Sequence, residues 1–344
     1  MSTPKMRAWQ LPAGCTSVDS LQMLELPRPT PAHNEVLVRV RATSLNFRDQ
    51  AIALGRYFGS AIKAAGAPLS DGAGVVEAVG SGVKAFSPGD RVASLFFQGW
   101  MDGPPTPAMG EALGCPPARG MLAEYVVLPA HGLIKMARSL SFEEAATLPC
   151  AGVTAWNALM LGVRPLERGN TVLLIGTGGV SLLALRIAKA AGARVIATSS
   201  SEEKLERVRA LGADLTLNYK TTPQWGAKAA ELAGGAIHHV VEVGGLGTLA
   251  QSMQAIGFGG EIALIGVLSM QGDTNPMPLM VKGASLRGIF VGSAAMAHKL
   301  NDFVDAHALK PVVDRVFDFS EAKAAYAYQA SSALFGKVVI ASAT

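Results

Sequence analysis

The sequence predicts an α/β protein with a doubly wound parallel sheet and a second domain built as a small, strongly curved β-barrel. Three observations predict this fold class. The stretch from Thr171 to Lys204 has the pattern strand, turn, helix, strand; strands and helices alternate after it to about residue 290; and short, glycine-punctuated strands precede it. With 344 residues, the chain is long for one hydrophobic core and suits two domains.

The strand-turn-helix-strand stretch contains a candidate phosphate-binding turn. Thr171 to Ile175 is a continuous apolar run, typical of a strand buried on both faces, and Gly176 ends it. Gly178 and Gly179 open a helix whose free N–H groups and dipole attract a pyrophosphate, and Ser181 stands where the usual pattern has its third glycine. The alternative is a glycine-rich turn that binds nothing. The predicted contacts are Gly176, Thr177, Gly178, Gly179 and Val180.

The end of the second strand indicates which dinucleotide binds. An NAD-selective site usually offers an acidic residue there to the ribose hydroxyls, whereas this chain has Ser199, Ser200 and Ser201, followed by Lys204. Hydroxyls and an ammonium can bond a 2′-phosphate that a carboxylate would repel, so the sequence favours NADPH. The serines also fit an N-terminal cap for the helix that starts near Glu202, and both interpretations can hold together.

Composition argues against several other classes of protein. Hydrophobic residues make up 49% of the chain and charged residues 16%, which indicates a globular protein rather than a disordered one. The net charge is +4, but lysines and arginines are dispersed, so no nucleic-acid partner is expected. The sequence shows neither an export signal nor an apolar segment long enough to span a membrane, so we expect a cytoplasmic protein without a membrane partner.

The part of the chain before the βαβ stretch holds three further predicted features. Asn46 to Tyr57 predicts a short helix that ends at Gly55. Phe96 to Gly120 is rich in proline and glycine and carries aromatic residues, which predicts a lid or a binding loop; the alternative is a disordered surface loop. Ser141 to Leu161 predicts a capped helix that breaks at Pro149 and then restarts toward the nucleotide domain.

Several motifs in a fixed order resemble one known family. The motifs are VVEAVGSGV, PGDRV, GTGGVS, LGADLTLNY, GGEIALIG and a terminal GKVVI. The chain resembles the medium-chain dehydrogenase/reductase superfamily over nearly its whole length, and it is most similar to the zinc-lacking branch of quinone oxidoreductases and alcohol-dehydrogenase-like proteins. The resemblance implies a Rossmann dinucleotide-binding domain at residues 151–290. It also implies a GroES-like β-barrel catalytic domain made of residues 1–150 and 291–344.

The resemblance bears on metal binding as well. Zinc alcohol dehydrogenases of this superfamily hold the metal with Cys, His and Cys, and a Glu follows the His. The matching positions here are Asn46, Ser70 and Cys150, with Asp71 in the Glu position. An amide, a hydroxyl and one thiol do not make a tetrahedral N/S site, so we predict that the protein binds no zinc. The four-cysteine structural zinc lobe is absent too, because Cys115 is alone in its region.

The resemblance also implies roles for individual residues. Asn46 and Thr154 match residues beside the nicotinamide and its ribose, where they would orient the ring. Tyr219 and Lys337 are expected near the 2′-phosphate together with Lys204. Alternatively, Tyr219 is only an aromatic residue at a strand end and Lys337 an exposed residue of a strand. The residues expected to bring backbone to the dinucleotide at strand ends are Gly244, Gly266 and Val291.

Tyr57 and Cys150 each have two interpretations. Tyr57 follows the predicted Asn46 helix and is a candidate for facing the substrate, although it could equally be a turn aromatic. Cys150 stands in a metal-ligand position without partners, which more often marks a buried packing residue.

These residues predict a reductase. Without a Lewis acid, alcohol oxidation loses the metal that stabilises its alkoxide, whereas hydride addition to an electrophilic carbon of a quinone or an α,β-unsaturated carbonyl needs less help. We therefore expect an NADPH-dependent, zinc-independent oxidoreductase that acts on such a small electrophile. Two alternatives remain open: a metal-free alcohol or aldehyde oxidoreductase, and a non-catalytic NADPH-binding protein.

The segment GASLRGIFVGS predicts the last strand of the parallel sheet, at its edge. Leu286, Ile289, Phe290 and Val291 make this edge apolar, and an unprotected apolar edge favours pairing with another chain. The resemblance implies a homodimer whose sheet continues across a two-fold axis. The alternative is an edge covered by a helix or by the C-terminal segment of the same chain.

Overall fold

A computed structural model describes residues 4–266, 268–269, 271–272 and 275–342 of the protein. The chain divides into two compact units, the first made of residues 1–153 and 292–344, and the second of residues 154–291. Compared with the predicted boundaries, residues 151–153 belong to the first unit and Val291 belongs to the second.

Strands and helices alternate through the middle of the chain, and most of the remaining strands lie before it. The strands are β1 (Lys5–Gln10), β2 (Gln22–Pro27), β3 (Glu35–Ser44), β4 (Asp71–Val79), β5 (Arg91–Ser94), β6 (Tyr125–Pro129), β7 (Leu133–Lys135), β8 (Thr171–Leu174), β9 (Arg194–Ser199), β10 (Leu215–Asn218), β11 (His239–Glu242), β12 (Glu261–Leu264), β13 (Ser285–Gly288), β14 (Val313–Asp318) and β15 (Lys337–Ala341). The helices are α1 (Phe47–Ala53), α2 (Phe142–Ala145), α3 (Val153–Met160), α4 (Gly179–Ala190), α5 (Glu202–Ala210), α6 (Trp225–Leu232), α7 (Leu246–Ala255), α8 (Met277–Lys282), α9 (Ala294–His307) and α10 (Ala322–Gln329).

The second unit contains a parallel sheet in the order β10-β9-β8-β11-β12-β13. Its strands are short apolar runs, and Leu173, Ile196, Val240 and Ile262 on four neighbouring strands are fully buried in one core. The predicted doubly wound Rossmann sheet is confirmed. The strand order reverses between β8 and β11, and ligands of such sheets bind outside the carboxyl ends of the strands at this reversal. The predicted phosphate-binding turn directly follows β8.

The first unit contains the sheet β14-β15-β3-β4-β5-β7, and β6 pairs with the first half of β3. The ten-residue β3 shifts register twice against β4, and such irregularities bend a sheet toward a barrel. The expected GroES-like β-barrel is confirmed. At its far end, β3 pairs antiparallel with β15, so that Ser44 lies opposite Val339. Continuing this register by two residues places Asn46 opposite Lys337.

The segment from Phe96 to Gly120 is ordered. Phe96, Phe97 and Trp100 are buried, and Leu113 N donates to Phe96 O at 3.0 Å, which closes the segment on itself. The alternative of a disordered loop is therefore wrong, because the apolar rings are removed from water. A lid function stays a prediction.

The helix is interrupted around Pro149, as predicted: α2 ends at Ala145, and α-helical structure resumes at Val153, directly after Gly152. Residues Leu148–Gly152 form one turn of π-helix that leads directly into α3. Pro149 lies in the first turn of this segment, where a missing N–H leaves no intrahelical hydrogen bond unmade. No helix among the described residues is long and apolar enough to cross a membrane.

The edge strand is shorter than the sequence predicts. β13 ends at Gly288, and Val291 adopts a left-handed backbone with φ 57°, which is incompatible with an extended strand. Ile289 and Val291 are buried rather than exposed on the edge, and Ile289 N donates to Leu264 O inside the sheet. Leu286 and Phe290 remain about two-fifths exposed.

Candidate active site

The turn after β8 has the shape of an anion cradle. Gly176 has a left-handed backbone with φ 74°, and a side chain at Gly176 or Gly178 would meet only open space within 4 Å. Helix α4 begins at Gly179, and no side chain among the residues that the structure describes caps its N-terminus, so its first N–H groups stay available to a ligand. Ser181 is buried and donates to Ile175 O at 2.8 Å, which explains how it fits where a third glycine was expected. This turn fits a dinucleotide pyrophosphate.

Thr177 and Val180, the other predicted residues of this turn, can bind a phosphate only through their backbone N–H groups. The Thr177 side chain is buried and Val180 is half-buried in the first turn of α4. Their N–H groups belong to the turn and to the helix start, the parts of the chain that bind phosphate in this kind of unit.

Most of the residues predicted for the 2′-phosphate lie at the carboxyl end of β9. Ser199 Oγ accepts from Ser201 N at 3.3 Å, and Ser201 Oγ caps α5 by accepting from Lys204 N at 3.3 Å. The capping interpretation therefore holds, and it fixes the start of α5 at the strand end. Tyr219 follows β10, donates its N–H to Ser199 O at 3.1 Å and is 40% exposed, so the structure brings it to the same strand end. Ser200 is half-buried between these residues.

Glu202, an acidic residue near this strand end, is occupied elsewhere. Its Oε1 accepts from Asn218 Nδ2 at 2.6 Å. This hydrogen bond, which was not predicted from the sequence, holds one oxygen of the Glu202 carboxylate at the end of β10.

The loops after β11 and β12 are shaped by Glu242, a residue that the sequence analysis missed. This fully buried carboxylate accepts from Gly244 N at 2.7 Å, from Gly245 N at 3.1 Å and from the hydroxyl of Thr248 at 2.6 Å. A side chain at Gly266 would collide with Val243 O, so backbone packs against backbone there. The available signal was an acidic residue that ends a buried strand, separated by one valine from a glycine pair.

Val291 and Thr154 occupy the ends of the second unit. Val291 O accepts from Asn157 Nδ2 at 2.7 Å, which holds the left-handed residue in place. Thr154 is buried in the first turn of α3.

In the first unit, Asn46 is the N-cap residue of α1 and lies in a buried polar cluster. Asn46 N donates to Asp49 Oδ2 at 2.7 Å, and Asn46 Oδ1 accepts from Lys337 Nζ at 2.6 Å. Asn46 Nδ2 is buried and has no partner in hydrogen-bond geometry within the described part of the chain. Burial raises the pKa of Asp49 to about 6, and Arg48 opposes this shift.

The predicted 2′-phosphate role of Lys337 is wrong. The residue is only 3% exposed, and its ammonium donates to Leu45 O and to Asn46. The physical reason is the pairing of β15 with β3, which turns an expected surface lysine toward the end of β3.

Ser70, Asp71 and Cys150, the other positions that the resemblance relates to zinc, belong to the same cluster. Asp71 Oδ1 accepts from Ser70 Oγ at 2.7 Å, and Asp71 Oδ2 accepts from Cys150 N at 3.1 Å. Burial raises the pKa of Asp71, and Lys337 and the Asn46 amide oppose this shift. Burial, and then the charge of Asp71, raise the pKa of the Cys150 thiol.

This donor set does not fit a zinc ion. It offers an amide, a hydroxyl and a single thiol, and the amide oxygen already accepts from the Lys337 ammonium. The described residues contain no cluster of three or more His, Cys, Asp or Glu that could hold a metal ion.

Arg48 and Tyr57 form a second part of the cluster. The Arg48 guanidinium lies 4.9 Å from the Tyr57 ring centroid and 4.8 Å from that of Phe96, and its Nη1 donates to Leu113 O at 2.7 Å. Arg48 Nε donates to Tyr57 Oη at 3.4 Å. Because a guanidinium has donors only, Tyr57 accepts this bond and its own hydrogen stays available to another acceptor. The sequence analysis proposed Tyr57 but missed Arg48.

The chain was compared with known families and proteins. Residues 32–138 match the alcohol dehydrogenase GroES-like domain family, and residues 179–306 match the zinc-binding dehydrogenase family. A zinc-type alcohol dehydrogenase-like protein of Schizosaccharomyces pombe is 46% identical over 314 residues, which cover 89% of this chain and 90% of the relative.

Two further similarities extend over nearly the whole chain. An NADPH-dependent alkenal/one oxidoreductase of Arabidopsis thaliana chloroplasts is 30% identical over 346 residues, covering 98% of this chain and 80% of the relative. The crystal structure of a putative alcohol dehydrogenase from Sinorhizobium meliloti superposes with a TM-score of 0.89 at 40% identity, covering 99% of this chain and 100% of that one. The chain therefore belongs to the medium-chain dehydrogenase/reductase superfamily, whose alcohol-dehydrogenase-like oxidoreductases it resembles in both units.

Proposed function

We propose that the protein transfers a hydride from NADPH to a quinone or an α,β-unsaturated carbonyl compound without a metal ion. One observation carries this proposal: an amide, a hydroxyl, a thiol and a carboxylate occupy the positions that the family resemblance relates to zinc, and a buried lysine bonds the amide. Such a site activates a carbonyl by hydrogen bonds alone. The name of the Arabidopsis relative, an NADPH-dependent alkenal/one oxidoreductase, supports this class of substrate.

Hydrogen bonds are sufficient to activate such a substrate for reduction, but they are insufficient to promote the oxidation of an alcohol. The β carbon of an enone is already electrophilic, and the negative charge that develops during reduction is delocalised onto oxygen. A simple alcohol must first become an alkoxide, which zinc stabilises in metal-dependent enzymes. The chain offers donors for an enolate oxygen, but its residues do not fit zinc.

Tyr57 is our candidate for the proton donor. Its hydroxyl accepts from Arg48 and retains its own hydrogen, which can pass to the oxygen of the reduced substrate. Burial raises the pKa of Tyr57, and the positive charge of Arg48 opposes this shift and would stabilise the tyrosinate that forms. Bound NADPH would supply the hydride, and water would return the proton to Tyr57.

The proposed cofactor is NADPH rather than NADH. Ser199, Ser201, Lys204 and Tyr219 meet at the end of β9, and Asn218 engages the carboxylate of Glu202. This arrangement supports recognition of a 2′-phosphate.

Steady-state oxidation of NADPH with a substrate panel tests the proposal. We expect turnover with quinones and enones, and weak or no turnover with saturated aldehydes, or with alcohols and NADP⁺. Preferred turnover of alcohols would favour the second candidate, a metal-free alcohol oxidoreductase; the name of the Schizosaccharomyces relative, a zinc-type alcohol dehydrogenase-like protein, supports the alcohol substrate but not the absence of a metal. Tight NADPH binding without turnover of any compound would indicate a non-catalytic binding protein.

A further inference from the structure

Val291 has a backbone conformation that its side chain disfavours. Its φ of 57° lies in the left-handed region, where a β-branched residue is an outlier. Strain of this kind persists only where the surrounding structure imposes it, and it clusters at ligand sites. Val291 follows shortly after β13 ends at Gly288, outside the carboxyl edge of the parallel sheet. Sheets of this type bind their ligands at that edge.

The sheet order indicates which part of a dinucleotide would lie near Val291. β8 and its phosphate-binding turn are in the middle of the carboxyl edge, with β9 and β10 on one side and β11, β12 and β13 on the other. The proposed 2′-phosphate site at the end of β9 assigns the adenosine half to the first side. A dinucleotide that crosses the strand reversal therefore places its nicotinamide half on the side of β13.

Asn157, a buried residue of α3, holds the carbonyl group of Val291. Asn157 Nδ2 donates to Val291 O at 2.7 Å, and Asn157 Oδ1 accepts from Arg287 Nη1 at 2.9 Å. A carbonyl oxygen only accepts and a guanidinium only donates, so these two partners allow one orientation of the amide. Asn157 thus links Arg287 to Val291.

Arg287 is itself fixed by three further hydrogen bonds. Its Nη2 donates to Asn157 O at 2.8 Å and to Leu161 O at 2.7 Å, and its Nε donates to Glu261 Oε1 at 2.7 Å. Glu261 is only 1% exposed, and its second oxygen accepts from Val163 N at 3.0 Å. These contacts fix the guanidinium against α3 and β12 while it holds the Asn157 amide.

We propose that Arg287 is a positioning residue for the nicotinamide half of bound NADPH. Through Asn157 it holds the strained backbone of Val291 in the conformation that contacts this half of the cofactor. Arg287 itself touches neither cofactor nor substrate in this proposal. The identity of the cofactor rests on the proposed function, whereas the hydrogen bonds from Arg287 to Val291 do not.

Binding of NADPH is compared with binding of 2′-phospho-ADP-ribose, which lacks the nicotinamide. Asn157→Ala removes the link, and Arg287→Lys keeps a cation for Glu261 but loses the planar fork that bonds Asn157. Each variant should raise the NADPH dissociation constant about five- to tenfold, the effect of one neutral hydrogen bond, and leave that of 2′-phospho-ADP-ribose nearly unchanged. Isothermal titration calorimetry measures both constants.

Two matched controls should leave both dissociation constants unchanged. Asn301→Ala removes a helical asparagine whose Nδ2 donates to Lys135 O at 2.9 Å in the first unit. Arg194→Lys changes an arginine of β9 whose Nη2 donates to Leu232 O at 3.2 Å.

A second substitution tests whether the effect passes through Val291. Glycine adopts a left-handed backbone without strain, so Val291→Gly added to Asn157→Ala should regain part of the lost NADPH affinity. Equal losses for the two ligands, unchanged NADPH binding, or no recovery in the double variant would each overturn the positioning role. The measurement needs no turnover. A wild-type protein that binds NADPH but reduces no enone or quinone would therefore refute the proposed reaction and leave this comparison decisive.

Discussion

Under the proposed preference for NADPH, Lys204 is the residue expected to determine cofactor selectivity. It lies in the first turn of α5, and its backbone N–H is held by the cap residue Ser201. Tyr219 and Ser199 lie at the same strand end. A 2′-phosphate placed there would meet an ammonium and several hydroxyls, whereas NADH would offer only a ribose hydroxyl.

Lys204→Ala should weaken NADPH binding by about 1.5–3 kcal/mol, the range of one charged hydrogen bond, and leave NADH binding nearly unchanged. Fluorescence titration with each cofactor measures both dissociation constants. Lys228→Ala, an exposed lysine on α6 paired with Glu231, is the control. Equal losses for the two cofactors would refute the assignment of Lys204.

Tyr57→Phe should lower kcat with an enone by about 10²-fold, the lower range for loss of a general acid, and leave NADPH binding intact. The ring, which packs against the Arg48 guanidinium, is retained, so the fold should be unaffected. Tyr125→Phe on β6 is a matched control that should keep full activity. Stopped-flow turnover at saturating NADPH measures the effect, and an unchanged rate would exclude Tyr57 as the proton donor.

Single residues differ in how far the sequence predicts them. Gly176 and Ser181 could be placed because their roles depend on a strand, a turn and a helix that are adjacent in the chain. The environment of Lys337 could not be predicted, because it depends on the pairing of β15 with β3. This pairing brings Lys337 into contact with Asn46, which lies 291 positions away in the sequence. Arg48 was missed because a helical arginine ordinarily faces solvent, and its burial depends on Phe96 and Tyr57.

The element with the clearest consequence for assembly is β13. The backbone N–H groups of β13 point alternately toward β12 and away from it. Ser285 N and Ile289 N donate toward β12, so the N–H groups of Leu286 and Gly288 point outward. Leu286 is exposed, as are Met280 and Val281 of α8. Such an edge suits pairing with a second copy of the chain. The sequence predicted the edge because GASLRGIF is apolar, but it misjudged Ile289, whose burial depends on packing against Ala158 and Ala263.

Leu286→Pro should convert a homodimer into a monomer, because it removes one outward donor and leaves the hydrogen bonds to β12 intact. Leu286→Val keeps the donor and should remain dimeric. Light scattering at micromolar concentration measures the mass, and circular dichroism checks that the fold is kept. Ile289→Pro is a poor choice, since it would break the bond to Leu264 O within the chain. A wild-type protein that is monomeric in this assay would refute the dimer.

At the scale of the whole molecule, two kinds of interaction matter most: apolar packing in one unit and buried polar contacts in the other. Apolar strands form the core of the parallel sheet, and a buried polar cluster lies at the end of β3 in the first unit. Lys337 places a cation inside this cluster, and under the proposed function the site works without a metal.

The purified protein should therefore contain no stoichiometric zinc, and activity should survive treatment with a chelator. Elemental analysis by mass spectrometry measures the metal content of the same sample that is assayed. About one zinc per chain, lost together with activity in the chelator, would contradict the account of the cluster at Asn46, Ser70 and Cys150.

The most direct test of the central claim follows the hydride itself. The chelator-treated protein is supplied with NADPH that carries deuterium at the transferable C4 position and with an enone, and the product is analysed by NMR and mass spectrometry. The account predicts a saturated ketone with one deuterium on the carbon β to the carbonyl. An allylic alcohol with deuterium on the carbinol carbon, or activity that appears only when zinc is added, would contradict it.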